Sequence, residues 1–564
     1  MRKNSVQLIV TLLLLFLTPL LLEATSGRYR CMWRTDPATS IVIGWDQISG
    51  DAPVIYYDVI DFGRQVTAYR KNQQPDRIIV AKGMNNHFVR LSNLQPNTVY
   101  YFVIKDSDGV SDRMSFKTAP ATPNERLSII AGGDSRNHRE ARRDANRLVS
   151  KLRPHMVVFD GDMTGGDTNQ EWKDWFDDWQ ETMGSDGRLF PIIPARGNHE
   201  SSNASITELF DVSSNNVYYG LTFGGNLFRL YTLNSLIAPG GSQKIWLEGD
   251  LKANAGRVTW KMAQYHQSIR PHTRRKGEKD ELLLNWATLF HKYGVDLVME
   301  SDAHVVKTTY PIRPSREAGS DEGFIRDDEN GTVYIGEGCW GAPLRDADDP
   351  KSWTRATGSF NQFKWIFVDQ EKIEVRTIRT DGARSVAEVR DRDIFEPPVG
   401  LVIWNPPSGD VLTIRNKNYQ PSAPVAHNSA QQNTDSYSGR DKLPGEQASA
   451  KSENNDSRVE QSEEKPVATE KPNPDDPSDW SMFPKVIPDA KGEVVLKYHL
   501  RQGGSVSMQL ISPKWQKITE LNFDKQPSGN NVKTINMSRV PKGRYLLVIK
   551  GPGGIARRYV VLRR

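Results

Sequence analysis

Between Asp134 and His304 the chain carries a spaced series of carboxylates and imidazoles with one amide, and glycines stand beside Asp134, Asp162 and Asn198. They are Asp134 in Gly132-Gly-Asp-Ser-Arg136, Asp162 in Asp160-Gly-Asp-Met-Thr-Gly-Gly166, Asn198 and His199 in Gly197-Asn-His-Glu200, His266 in Gln264-Tyr-His-Gln267, and Asp302 with His304 in Glu300-Ser-Asp-Ala-His304. Carboxylate, amide and imidazole donors make a mixed oxygen and nitrogen set that suits Fe, Mn or Zn and suits a thiolate-type centre poorly. A carboxylate shared by two such ions can hold them about 3.5–4 Å apart, where they clamp the attacking and leaving oxygens of an in-line displacement. Phosphoester hydrolysis is the reaction such a pair serves. Glycine neighbours permit the tight loops and close backbone approach the site needs. Singly, each motif says little, because Gly-Asp marks turns in general and an isolated histidine is more often structural. The ordered set, each member following a predicted strand, carries the reading.

Those residues must be held at one edge of a sheet, since ligands in α/β sheets bind outside the carboxyl ends of the strands. The apolar runs predict strands over 127–131, 156–159, 190–193, 227–233, 260–265 and 295–299, within a phosphoesterase domain expected over 125–395. Helices should lie between them, including 170–180, where Trp172, Trp175, Phe176 and Trp179 recur at helical spacing and are read as core. Ahead of this domain, short β-rich runs separated by turn clusters over 27–118 predict a β-sandwich, closed by the proline-rich joint Ala119-Pro-Ala-Thr-Pro123. The fold class expected is therefore multidomain: an N-terminal β-sandwich, a central α/β metallophosphoesterase domain with a β-sandwich core flanked by helices, a flexible linker and a small C-terminal β-sandwich. The linker is 418–477, rich in Ser, Asn, Gln, Glu, Lys and Pro and almost free of aliphatics, which cannot bury enough surface to offset the entropy of ordering. Apolar runs over 492–500, 505–511, 532–537, 545–549 and 556–562 make the last sandwich, 480–564.

At 564 residues the chain exceeds what one hydrophobic core supports, which agrees with several domains. Its 74 Lys and Arg against 69 Asp and Glu leave a net charge of +5, too mild to mark nucleic acid as a partner. Residues 1–24 read as a signal peptide, with Arg2 and Lys3 ahead of an apolar run from Leu8 to Leu22 that Pro19 interrupts and that falls short of a bilayer span. The mature protein is then expected to be secreted, periplasmic or at the cell surface, without a membrane span. Only Cys31 and Cys339 occur, which leaves one long-range bridge or two free thiols.

The ordered set resembles the calcineurin-like metallophosphoesterases. Val217-Tyr-Tyr-Gly-Leu-Thr-Phe-Gly224, Trp246-Leu-Glu-Gly-Asp-Leu251 and Val295-Asp-Leu-Val-Met299 are similar to stretches of the purple acid phosphatases. Leu94-Gln-Pro-Asn-Thr-Val-Tyr-Tyr-Phe-Val-Ile104 with Phe116-Lys-Thr118 resembles the closing strands of a fibronectin type III domain, which commonly precedes the catalytic domain in that family. The resemblance implies that one ion takes Asp134, Asp162 and His304 and the other Asp162, Asn198, His266 and the residue at 302, with Asp162 bridging. It further implies that His199 stabilises the phosphoryl oxygens or protonates the leaving group. Glu200 is expected to orient a ligating residue. Two positions depart from the family pattern: Gly165 stands where a tyrosine ligand is usual, and Asp302 where the last motif has histidine. A purple tyrosinate–iron centre is therefore not expected, and a carboxylate at 302 hardens the site towards Mn, Mg or Fe(II).

Arg136, two residues after Asp134, could clamp phosphate or make a surface ion pair, and Arg270 with His272 are candidates for lining the substrate pocket. The activity expected is hydrolysis of a phosphate monoester or diester by a metal-bound hydroxide at a dinuclear site. The alternative is a catalytically weak or inactive binding or adhesion protein of the same fold. The ending Lys542-Gly-Arg-Tyr-Leu-Leu-Val-Ile549 with Tyr559-Val-Val-Leu562 is similar to bacterial sorting domains, which implies surface attachment through the C-terminal domain.

Overall fold

The computed structural model of the protein describes residues 25–420 and, with short gaps, 493–562. The expected signal peptide and nearly all of the expected linker lie outside the described residues. The chain divides into two units, one ending at Tyr419 and one beginning at Gln420.

The first unit is built on two large sheets. In one, the parallel strands Leu127–Gly132, Met156–Phe159 and Ile192–Pro194 lie side by side, flanked by the antiparallel strands Gln362–Val368 and Lys372–Arg379. In the other, Phe228–Thr232, Trp260–Gln267, Leu297–Ser301 and Val333–Gly336 run parallel. Side chains alternate across a strand, and the burial follows that alternation. Leu230, Met262, Leu297, Met299 and Ile335 join the core with Ile129, Val157 and Ile192, between the sheets. Tyr231, Ala263, Val298 and Tyr334 point the other way and are covered by Leu247 and Leu251 of helix Gly241–Ala253 and by Leu289 and Phe290 of helix Thr288–Tyr293.

The aromatic helix spans Asn169–Trp179 and opens with a capping box, in which the Thr168 side chain accepts from Glu171 N–H while the Glu171 carboxylate accepts from the Thr168 backbone. Its Trp172, Trp175, Phe176 and Trp179 are all buried, as the spacing predicts for core. Trp175 Nε1 donates to Ser135 Oγ at 3.0 Å, so the helix also braces the loop that carries Asp134.

The N-terminal β domain is not a separate module. One of its sheets, Ser26–Met32, Ile41–Gln47, Met84–Leu91 and Arg77–Ala81, continues the first of the two large sheets, because Ser26–Met32 pairs in parallel with Ile192–Pro194. Its other sheet is Lys71–Gln73, Val54–Asp58, Val99–Lys105 and Met114–Lys117. Arg34, Arg77 and Arg90 converge on the buried Asp211 at 3.1, 2.9 and 2.9 Å and tie the two parts together. The same sheet also runs past 395, with Val402–Ile403 and Val411–Arg415 added to Lys372–Arg379. Cys31 and Cys339 are buried, free thiols, which decides between the alternatives left by the sequence.

The second unit consists of antiparallel strands. Glu493–Leu500 pairs with Gly529–Asn536, and a four-stranded sheet has the order Lys517–Gln526, Gly504–Ile511, Gly543–Gly551, Gly554–Leu562. Strand Lys517–Gln526 was missed because Lys517, Glu520, Asp524 and Lys525 interrupt its apolar alternation. Among the described residues no helix is long and apolar enough to cross a membrane.

Candidate metal centre

Parallel strands end on the same side of their sheet, so the loops that follow them meet. Asp134 follows Leu127–Gly132, Asp162 follows Met156–Phe159, Asn198 and His199 follow Ile192–Pro194, and Asp302 with His304 follows Leu297–Ser301. His266 differs from expectation in lying on its strand, one residue before the end of Trp260–Gln267. Asp134, Asp162, Asp302 and His304 all adopt left-handed backbone, with φ of 56°, 55°, 70° and 56°. Such conformations cost energy and persist where surrounding contacts enforce them. Here the contacts are backbone hydrogen bonds: Asp134 N–H donates to Gly161 O at 3.0 Å, and Asp302 N–H to the Asp134 carboxylate at 2.8 Å. Close approach explains Gly197, where a Cβ would lie 2.2 Å from Asp162 Oδ1.

Two groups of donors share Asp162. Asp134, Asp162 and His304 form one, and Asp162, His266 and Asp302 the other, each with ligand atoms within 4.8 Å of one another. His304 Nε2 is 3.1 Å from Asp134 Oδ1, and His266 Nε2 is 3.3 Å from Asp162 Oδ1, 3.5 Å from Asp302 Oδ1 and 3.1 Å from Asn198 Oδ1. Each imidazole has its other nitrogen on a backbone carbonyl: His266 Nδ1 on Asp160 O at 2.9 Å and His304 Nδ1 on Pro343 O at 2.8 Å. A carbonyl accepts only from N–H, so in the neutral ring Nδ1 carries the proton and Nε2 presents its lone pair to the cluster. Asp134 Oδ1 is buried and has no hydrogen-bond partner. An orphaned carboxylate oxygen and two oriented imidazole lone pairs, set among further acceptors, fit cations well and suit a purely hydrogen-bonded core badly. Without a cation, burial lowers the His266 pKa but the Asp162 carboxylate raises it further, so the ring holds a proton well above its usual range.

His199 sits at the rim with its side chain 25% exposed. Its backbone N–H donates to Asp162 Oδ1 at 2.8 Å, its Nδ1 is hydrogen-bonded to Gly165 O, and its Nε2 is 3.8 Å from Asp162 Oδ2. A side chain at Gly165 would strike the Asn137 amide, with Cβ only 2.2 Å from Asn137 Nδ2, so no residue larger than glycine fits there without movement. Tyr265, the nearest tyrosine in sequence to a donor, donates to Glu300 Oε1 at 2.7 Å. Glu200 acts on backbone: it accepts from the N–H groups of Asp162, Met163 and Gly197 at 3.0, 2.9 and 2.7 Å, locking two loops together. Burial and the neighbouring Asp162 push its carboxyl up to about 7.

Arg136 makes no ion pair among the described residues, and its buried Nε has no partner. Arg270 and His272, expected to line the substrate pocket, are both buried. Arg270 is buried and its donors go to Glu322 O at 2.6 Å, Ile269 O at 3.0 Å and Asp280 at 2.6 Å. His272 is buried, bonded to Thr354 Oγ1 at 2.7 Å and 3.6 Å from Glu337. Both brace the loop that follows His266.

The sequence reading also missed several residues. Lys276 Nζ donates to Asp302 Oδ1, and Arg345 Nη1 to the Asp302 carbonyl at 2.7 Å. Lys307, wholly buried, bridges Glu300 at 2.5 Å and Glu337 at 2.9 Å beneath the loops bearing Asp302 and Arg270. The Gly336-Glu-Gly-Cys-Trp-Gly341 run was the available signal for this wall; its Gly338 has φ of 91°, and a Cβ there would meet Asp134 Oδ2 at 2.2 Å.

Two layered sheets with a two-part donor cluster at their shared edge define the calcineurin-like phosphoesterase class, and the profile of that family, Calcineurin-like phosphoesterase, matches residues 133–306. The profile of the Purple acid Phosphatase N-terminal domain matches 28–118, so the chain carries that domain ahead of a calcineurin-like phosphoesterase domain. It is 24% identical over 283 residues to a probable purple acid phosphatase 20 of Arabidopsis thaliana, covering 46% of this chain and 64% of that one. It is 23% identical over 341 residues to an uncharacterized protein of Mycobacterium tuberculosis, Rv2577, covering 51% and 63%. The chain thus spans less than two thirds of the length of these curated relatives. In fold it is similar to the purple acid phosphatase PPD1 of yellow lupin seeds, with a TM-score of 0.53 at 14% identity over 66% of this chain and 76% of that one. It is also similar to PhoD, with a TM-score of 0.50 at 11% identity over 70% and 91%.

Proposed function

We propose that the protein is an exported phosphoesterase that hydrolyses phosphate esters at a dinuclear centre of Fe, Mn or Zn ions. The observation that supports it most is the pair of donor groups sharing Asp162, with imidazole lone pairs turned inward and His199 at their rim. Asp134, Asp162 and His304 would hold one ion, and Asp162, Asn198, His266 and Asp302 the other. Ions so bound supply Lewis acidity and lower the pKa of water.

The chain's own groups do the rest. Gly165 O fixes the His199 ring, leaving Nε2 to contact a phosphoryl oxygen or pass a proton to the leaving alkoxide. Arg136, without an ion pair among the described residues, would bind phosphate oxygens from the Asp134 loop. Glu200 and Lys307 position loops and touch no substrate. The test is hydrolysis of p-nitrophenyl phosphate by the chelated protein before and after adding Mn²⁺, Zn²⁺ or Fe²⁺. No turnover with any of them would sink the reading.

The signal-like residues 1–24 support export, and the C-terminal strands are proposed to attach the protein to a surface. Mass analysis of the secreted chain, expected to lack the leader, checks the first; release of the protein from cells on deleting 480–564 checks the second.

A further inference from the structure

Asp302 is claimed from two sides. Its Oδ1 faces His266 Nε2 at 3.5 Å within the second donor group, and the same oxygen accepts from Lys276 Nζ. Among the described residues no Lys or Arg forms an ion pair with Asp134 or Asp162, and Asp134 Oδ1 has no hydrogen-bond partner and faces only the His304 imidazole, at 3.1 Å. The two halves of the centre therefore meet a cation on unequal terms: one offers a carboxylate oxygen that faces only an imidazole, the other an oxygen already bonded to an ammonium.

We infer that Lys276 competes with the second metal ion for Asp302, so that the two ions are held unequally and the second enters only as Lys276 leaves. This inference builds on the metal-centre reading above. The geometry says which partner yields. Asp302 is 4% exposed and held by its backbone, its N–H on Asp134 at 2.8 Å and its carbonyl on Arg345 at 2.7 Å. Lys276 has a side chain 26% exposed, on a loop whose Arg274, Arg275, Gly277 and Glu278 are exposed, and its charge ends a flexible four-carbon stem that can swing into water. A single positive charge beside a divalent ion is repelled by it, strongly so away from bulk water. Lys276 also offsets the extra negative charge of Asp302, which keeps three clustered carboxylates from repelling one another before any ion arrives.

The test is metal uptake by the full chain, stripped with chelator and dialysed against graded free Mn²⁺, with bound Mn counted per chain. Two steps are expected. Lys276→Met should move the second to lower free Mn²⁺ by about tenfold or more, by removal of a neighbouring charge, and leave the first unchanged; Lys276→Gln should do the same. Asp134→Asn should weaken the first step, which assigns it. A second step that stays in place or moves to higher Mn²⁺ in both Lys276 variants overturns the inference, as does uptake of both ions by the unaltered chain in one step of equal affinity. Two-step uptake with no phosphate-ester hydrolysis overturns the proposed function and leaves this inference standing, whereas hydrolysis with an unmoved second step overturns this inference alone.

Discussion

The Asp134 half and the Asp302 half of the centre share Asp162 and similar burial, yet they are balanced differently. In the first, a carboxylate and an imidazole from opposite sheets face each other at 3.1 Å with no permanently charged partner. In the second, a carboxylate replaces the imidazole of the purple acid phosphatase pattern, and a lysine from another strand's loop sits on it. The lesson is that a ligand change is answered by charge across the cluster, not at the altered position. Burial raises the Asp302 pKa, but contacts with His266 and Lys276 outweigh it and hold the carboxyl well below its usual range, so Asp302 stays charged through any physiological pH.

The largest expected effect comes from the residue common to both halves. Asp162→Asn should lose both ions together and lower hydrolysis by roughly a thousandfold or more, since each ion contributes several kcal/mol of charge stabilisation. Metal analysis alongside turnover checks it; a variant that keeps both ions would end the description of Asp162 as shared. Next, His199→Ala should lower turnover by about 10²–10⁴-fold and leave both ions in place. Loss of an ion there would make His199 a ligand.

Asp302→His separates the halves directly. It should favour Zn²⁺ over Mn²⁺ at the second step, by about tenfold, because imidazole is the softer donor, and leave the first step alone; unchanged selectivity would mean that Asp302 serves Lys276 only. The as-isolated protein should also show no visible charge-transfer band, because Gly165 supplies no phenol and Tyr265 is committed to Glu300. An absorption spectrum decides this.

The smallest effect lies away from both halves. Lys364 is buried, with Nζ on Thr377 Oγ1 at 2.9 Å, and burial lowers its pKa from 10.5 to about 7. Between those values the unfolded chain binds a proton that the folded chain does not, so stability rises with pH there and the cost is full below about 7. Lys364→Met should therefore raise the melting temperature by a few degrees more at pH 6 than at pH 10, roughly what 1 kcal/mol does, with metal uptake unchanged. Equal gains at both pH values would refute the assignment of a depressed Lys364.

Asp134, Asp162 and Asn198 were legible in the sequence because each follows a strand and sits beside glycine, a local pattern fixed by the backbone, whereas Asp302 and His304 follow a strand without a glycine neighbour and His266 lies on its strand. The aromatic helix was equally legible, since a spacing of three and four residues reports one face. The burial of Arg270 and His272 was not legible, because proximity in sequence to His266 says nothing about which way a loop side chain turns, and here the partners are Glu322, Asp280 and Thr354. The parallel pairing of Met32 with Ile192, which joins the N-terminal domain to the sheet whose loops carry Asp134 and Asp162, has no local signature. Nor does the bond from Lys276 to Asp302: a run of basic residues in a polar loop looks the same whether it meets water or a carboxylate. The sequence by itself determined which donors exist and which strands carry them, because those depend on neighbours along the chain. Only the tertiary structure decided which cation faces which carboxylate, because charge acts through space between residues that folding alone brings together.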